Sequence, residues 1–440
     1  MKIFRHVIST TAFAALLAGT ALAGQAVRQE VSSPAPVAAP AKSRTLPATQ
    51  ALFDSYVESN KMPGIVGGFG VGDFPTQFVS AGKISDDAGA QPAGPDSLWR
   101  VYSMTKPVTA TAAMILIEQG KIRLDDPVSK YIPEFKHMRV VNGPTGLASH
   151  PATHPILIRN LLTHTAGLAY APIFSRPVDK EYLRLGLVPA ASDAASEAQA
   201  RAVRPRSLEA FAKAVAAQPL IAEPGTVWSY SIGLDIMGRV IEVASREPFD
   251  RFVQHHIFDP LQMRSSFWTV PESEAPRLAT NYTLTTDRRV PLDPGATSVW
   301  LKPPTFPYGG AGLVMSARDY DRFLHMLQNK GTLGGVRVMK PETAELMMSN
   351  LLPAGVTYTN QGSSNGKTGF GAGGSVVLED APGGAPKGTY AWGGAAGSKA
   401  WVNPITKTRG TIMVNYFPGE KYPVLKETAA ALLTDTARKK

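Results

Sequence analysis

Ser103 and Lys106 stand three residues apart in the run Ser103-Met104-Thr105-Lys106. On a helix, residues i and i+3 share a face, with Cβ atoms roughly 5–6 Å apart. An ammonium group can then lie against the hydroxyl. A serine hydroxyl is a poor nucleophile at neutral pH. It needs a base within hydrogen-bond reach, or a cation that eases the loss of its proton. A helix N-terminus adds unpaired N–H groups and the positive end of a dipole, which suit a developing oxyanion. The chemistry is nucleophilic catalysis by serine.

The same spacing recurs at Ser80 and Lys83 and at Ser364 and Lys367. Ser80 ends a strand-like run and has Gly82 before its lysine. Ser364 precedes Asn365-Gly366, a turn signal. Only Ser103 opens a long helical pattern, where Pro107 is tolerated in the first turn. Gly362-Ser363-Ser364-Asn365-Gly366 has the G-x-S-x-G form of an α/β-hydrolase elbow, which needs a histidine later in the chain. The last histidine is His325, so that reading fails. His150 and His154, with His164 near, could bind zinc from a helix. Pro151 and Pro155 break a helix there, and no H-E-x-x-H run or second-shell carboxylate is near, so no metal site is expected. With no cysteine, a thiol nucleophile, disulfides and thiolate metal sites are excluded.

The elements that must hold Ser103 follow from periodicity. A first helix is expected over 48–60, with Leu52, Phe53, Tyr56 and Val57 on one face, then strands over 64–72 and 77–81. The helix over 103–119 is apolar on more than one face and should be buried, with Gly120 as its stop. Helix-rich sequence with long loops runs to about 270, with 172–206 read as a long alanine-rich loop region. A glycine-rich stretch over 308–313, a helix over 317–328, strands over 369–378, 400–403 and 410–417, and a helix over 424–437 complete the chain. This order suggests one sheet built from both chain ends, with a helical region inserted between.

The 440 residues are 44% hydrophobic, ample for a sizeable core. The formal charge is +10, but Lys and Arg are spread along the chain, which argues for a solvated basic surface and against a nucleic-acid site. Lys2 and Arg5, the apolar run over 7–23 and the ending Ala21-Leu22-Ala23 read as a secretory signal peptide, 1–23. A Pro- and Ala-rich linker follows over 24–46. The mature chain is therefore expected to be exported, periplasmic or secreted, with no membrane span.

Three further runs carry a resemblance: 126–135 (Asp-Pro-Val-Ser-Lys-Tyr-Ile-Pro-Glu-Phe), 158–168 (Ile-Arg-Asn-Leu-Leu-Thr-His-Thr-Ala-Gly-Leu) and 224–231 (Pro-Gly-Thr-Val-Trp-Ser-Tyr-Ser), the last leading into a helical run over 232–244. With Ser103-x-x-Lys106 they resemble the serine β-lactamase-related superfamily over about 47–436. That superfamily holds class C β-lactamases, D-alanyl-D-alanine carboxypeptidases and family VIII carboxylesterases. The resemblance implies a β-lactamase/transpeptidase-like fold, α/β plus all-α. An antiparallel sheet would be flanked by helices, with an α/β lobe over about 47–100 and 290–440 and a helical lobe over about 101–289.

The resemblance also implies roles. Tyr230 matches the family's second catalytic residue, a general base. A free tyrosine has a pKa near 10, so it needs a cation nearby to act as phenolate, and Lys106 is the candidate. The family's Lys-Thr-Gly box is matched by position at Trp392-Gly393-Gly394. The literal Lys367-Thr368-Gly369 and Tyr358-Thr359-Asn360 are only seven residues apart, too close for the family's layout. By the same analogy the N–H groups of Ser103 and Ala395 form the oxyanion hole. Ile232 stands where Y-x-N has its asparagine, and Trp392 where the box has its lysine. Tryptophan offers no charge to a substrate carboxylate, so uncharged acyl esters are favoured, with no cofactor. Lys367 or Lys399 would be the candidate replacement for the missing lysine. The alternatives are a β-lactamase or D,D-peptidase, an acyltransferase, and a binding protein with a dead site. Natural substrate and oligomeric state stay open.

Overall fold

The computed structural model describes residues 45–171, 173–188, 192–286, 288–359 and 366–437. The expected signal peptide, nearly all of the linker, Pro172, Asn360 and residues 362–365 of the G-x-S-x-G run lie outside the described residues.

Among the described residues the main sheet has seven antiparallel strands in the order Thr368–Phe370, Ser375–Val377, Tyr390–Gly393, Lys399–Asn403, Thr408–Met413, Gly64–Val71 and Gln77–Gly82. It is built from both ends of the chain, as expected. Side chains alternate across a sheet, and the register sorts them. Ile65, Phe69, Val79 and Ile412 share one apolar cluster. Val66, Ala400, Val402 and Met413 belong to the other.

The first cluster is covered by the helix Pro47–Glu58 and the terminal helix Val424–Ala437. Pro47 suits the first turn, where its missing N–H costs nothing. The unpaired N–H groups of Ala48 and Thr49 donate to the Asp435 carboxylate at 2.8 and 3.0 Å. The opposite face packs on the helix Ala317–Gln328, capped by the Ser316 hydroxyl, which accepts from Asp319 N–H at 3.1 Å. Behind it lies the helix Thr105–Glu118, in which every residue from Thr105 to Leu116 is buried. Its neighbour is the helix Gly233–Ser245. No described helix is long and apolar enough to cross a membrane.

Three expectations are corrected. The segment read as a loop over 172–206 contains two helices, Pro177–Arg184 and Ala194–Val203. Alanine favours helix, and the Asp193 side chain caps the second one by accepting from Ala195 and Ser196 N–H at 2.9 Å. The strand expected over 369–378 is a hairpin, Thr368–Phe370 with Ser375–Val377, closed by Gly371 N–H donating to Gly374 O at 2.8 Å. The strand expected over 410–417 stops at Met413, and Tyr416–Phe417 pairs parallel with the 281–284 strand of another sheet. Asn415 makes the break, because its side chain bonds the Arg100 N–H and C=O at 3.1 and 3.0 Å.

Candidate active site

Ser103 does not open the helix. It lies in a one-turn 3₁₀ segment, Tyr102–Met104, that leads into the helix Thr105–Glu118. The turn is tight: Tyr102 has φ 42°, a region costly for a side-chain-bearing residue. Its surroundings fix it there. The Tyr102 ring meets Trp300 and Phe417 edge-on, with centroids 5.9 and 5.6 Å away, and its hydroxyl accepts from Asn281 at 3.0 Å. The strand just upstream, Leu98–Arg100, is anchored by the buried pair Arg100–Asp293.

The turn presents the Ser103 hydroxyl to two partners expected from the sequence. Tyr230 OH lies 2.7 Å from Ser103 Oγ, and Lys106 Nζ donates to Oγ at 3.2 Å. Lys106 is fully buried, and its other donors reach Gly310 O at 2.7 Å and Tyr170 OH at 3.5 Å. The same ammonium sits 4.7 Å from the Tyr230 ring centre.

Tyr170 is a second tyrosine beside Ser103 and Lys106. Burial, then the neighbouring Tyr230 and Asp235, push its phenol well above its ordinary value, so it stays a neutral O–H. Tyr230 is half-buried, whereas Tyr170, though buried, lines the cavity beside Ser103.

His164 grips Tyr230 from both sides. Its carbonyl accepts Ser229 N–H at 2.9 Å, and its Nδ1 accepts Ser231 N–H at 3.2 Å. Its ring packs against the Tyr230 ring with centroids 4.6 Å apart. Burial, then the Lys106 cation, hold the imidazole well below its usual range, so it stays neutral with its proton on Nε2. His164 itself has φ 57°. Among the described residues no group of three His, Asp or Glu side chains is placed to hold a metal ion.

Trp392 lies in the strand Tyr390–Gly393 and faces Tyr230 and Phe370, with ring centroids 5.6 and 5.1 Å away. Gly393 pairs with Lys399 while Trp392 pairs with Ala400, so Lys399 points to the opposite face of the sheet and cannot replace the missing lysine. Lys367 stands beside the edge strand, two strands from Trp392. Gly394 touches the start of the turn that holds Ser103: a Cβ there would sit 2.5 Å from the Val101 carbonyl oxygen. Among the described residues the Ala395 N–H has no acceptor. Ala395 and Ser103 line one cavity of about 520 Å³, with Ala171, Leu183, Val188, Ala200 and Phe417 among its walls and no charged side chain among the described residues that line it. The two helices of the supposed loop region supply one side of that cavity.

Sequence reasoning missed Tyr170, Asp235 and Gly310 around Lys106, and the roles of His164, Tyr358 and Phe370 around Tyr230. Tyr358 lies in a motif set aside as coincidence. Its ring and that of Phe370 nonetheless pack on Trp228, 4.9 and 5.7 Å away, behind Tyr230. Two signals were present, His164 inside the 158–168 motif and the glycines of 308–313. The rest carries no local pattern.

The Beta-lactamase family profile matches residues 49–435. The chain belongs to the beta-lactamase family. Its fold is accordingly β-lactamase/transpeptidase-like, and it is a serine hydrolase. Relatives within the family include esterase EstB of Burkholderia gladioli, 31% identical over 80% of this chain and 86% of that one. Acyltransferase mokF of Monascus pilosus is 26% identical over 78% of this chain and 83% of its own. The solved structure of EstCE1, a hydrolase with promiscuous acyltransferase activity, superposes with a TM-score of 0.72 at 26% identity, covering 88% of this chain and 97% of that one.

Proposed function

We propose that this chain hydrolyses uncharged carboxylic esters through an acyl group carried on Ser103. The observation that carries the reading is the pair of contacts on one oxygen: Tyr230 OH at 2.7 Å and Lys106 Nζ at 3.2 Å from Ser103 Oγ, in the wall of a cavity without charged side chains. Ser103 Oγ attacks the ester carbonyl as its proton moves to the Tyr230 oxygen, which the Lys106 ammonium steadies. Tyr230 hands that proton to the leaving alcohol. Water, deprotonated by Tyr230, then attacks the acyl carbon, and Tyr230 returns that proton to Ser103 Oγ as the acid leaves. The N–H groups of Ser103 and Ala395 would hold the oxyanion in both steps.

Trp392 supports an uncharged substrate: its ring packs on Tyr230 and Phe370, where the family's box would offer a cation. The cavity size suits a sizeable acyl or alcohol group. Acyl transfer is a second reading, favoured by the names of mokF and EstCE1 and by the apolar cavity, which would exclude water from the acyl-enzyme. Residues 1–23 are proposed as a cleaved signal peptide, which N-terminal sequencing of protein recovered from outside the cytoplasm would test.

The deciding assay compares p-nitrophenyl butyrate with nitrocefin, with Ser103→Ala as control. Ester turnover with little nitrocefin cleavage, lost in the variant, is the expected result. Efficient nitrocefin cleavage would overturn the substrate argument. Added alcohol that diverts the acyl group into a new ester would favour acyl transfer.

A further inference from the structure

Lys106 raises a problem that its own helix does not solve. A buried ammonium has three donors and needs an oxygen for each. Ile232, two residues past Tyr230, is fully buried and brings no oxygen. The shortest contact of Lys106 is instead to a backbone carbonyl 204 residues away, Gly310 O at 2.7 Å. What fixes that carbonyl is Asp235, on the first turn of the helix Gly233–Ser245. The Gly310 N–H donates to Asp235 Oδ1 at 2.9 Å.

We propose that Asp235 is the positioning residue for Lys106, acting through Gly310, and this rests on the reading of Ser103 and Lys106 as the reacting pair. Three observations support it. First, the contact is built for glycine: a Cβ at 310 would lie 2.4 Å from Asp235 Oδ2, and one at 309 would lie 2.3 Å from Leu234 O. Both residues of the segment are thereby seated on the same helix end. Second, the segment is held on its other side by the nucleophile helix. Thr109 Oγ1 donates to Gly309 O at 2.7 Å, and Leu313 N–H donates to Thr105 Oγ1 at 3.1 Å. Thr109 and Asp235 thus hold the two ends of the peptide joining Gly309 and Gly310, the unit just before the carbonyl that meets Lys106. Third, Asp235 is fully buried, and its Oδ2 has no hydrogen-bond partner among the described residues. A half-satisfied buried carboxyl is costly and contributes little to packing, so its use lies in what it orients.

Lys106 and Tyr170 are the titratable groups that act on Asp235 from the segments around it. Burial pushes its carboxyl up to about 6, with the Lys106 cation and the Gly310 N–H pulling the other way.

The test uses the whole protein and p-nitrophenyl butyrate. Asp235→Asn keeps an oxygen for the Gly310 N–H, and Asp235→Ala removes it. The expected result is a fall in kcat of about tenfold to a hundredfold for the alanine variant, with KM little changed. The asparagine variant should recover most of that loss. It should also lack any limb of the pH–kcat profile near 6 that the wild type shows. Should the alanine variant fail to fold, Gly310→Ala, which forces the same contact apart, is read in its place. A wild-type kcat in the alanine or Gly310→Ala variant overturns the proposal, and so does an equal loss in the asparagine and alanine variants. Ser103→Ala separates the two readings. If it stays active, the nucleophile assignment has failed. If it is inactive while Asp235→Ala is not, only the positioning role has failed.

Discussion

At Tyr230 the environment of two similar side chains decides their roles. Tyr170 and Tyr230 both reach the Ser103–Lys106 pair, yet burial keeps Tyr170 a neutral phenol while Tyr230 is only half-buried. His164 sets the Tyr230 orientation through acceptors on both flanks, and this works only while the imidazole is neutral. Its titration is depressed below the ordinary 6.5 by burial. The unfolded chain then binds the proton more readily than the folded one, so this contribution to stability is present above 6.5 and is lost as pH falls below it. Asparagine accepts at the position of Nδ1 and tolerates positive φ. His164→Asn is therefore expected to keep activity within a few-fold and to lose less stability than the wild type on acidification below neutrality. His164→Ala should lose kcat at every pH. Equal acid sensitivity of wild type and His164→Asn in thermal melts would sink the argument.

The helices Pro177–Arg184 and Ala194–Val203 illustrate what an element contributes beyond its residues. The second has no buried residue of its own, and it stays in place through its Asp193 cap and through Glu197, which pairs with Arg201 and Arg204 at 2.8 and 2.9 Å. Its Ala200 and Leu183 of its partner form cavity wall opposite the nucleophile turn. Ala200→Phe should narrow the cavity without touching Ser103. Turnover of a p-nitrophenyl ester with a long acyl chain is expected to fall about tenfold or more relative to the acetate. A uniform loss for both esters would mean that this helix shapes the site as a whole and selects nothing. The alanine-rich segment misled the sequence reading because alanine looks featureless in pattern yet is the strongest helix former. The cap that starts the helix is a single aspartate.

At the scale of the whole molecule the two chain ends close one structure. Asp435, near the end of the last helix, caps the first helix by accepting from Ala48 N–H, Thr49 N–H and Thr49 Oγ1. Asp435→Ala is expected to cost about 1–2 kcal/mol of stability, as loss of a helix cap does, with kcat unchanged, because the contact lies across the sheet from Ser103. A melt indistinguishable from wild type would show that Asp435 carries no such load. The local features were legible in the residues alone. The Ser103–Lys106 spacing, the buried helix behind it, the first two strands and the helices at 317–328 and 424–437 follow from hydrogen-bond geometry and side-chain periodicity, which act over a few residues. Tyr230 and Trp392 were reached through family resemblance. Tyr170, Asp235, Gly310 and the grip of His164 on Tyr230 come from segments 60 to 210 positions from Ser103, brought together by a sheet that joins both chain ends and by helices packed beneath it. No periodicity spans such distances: which remote oxygen meets a buried lysine is set by how whole elements pack.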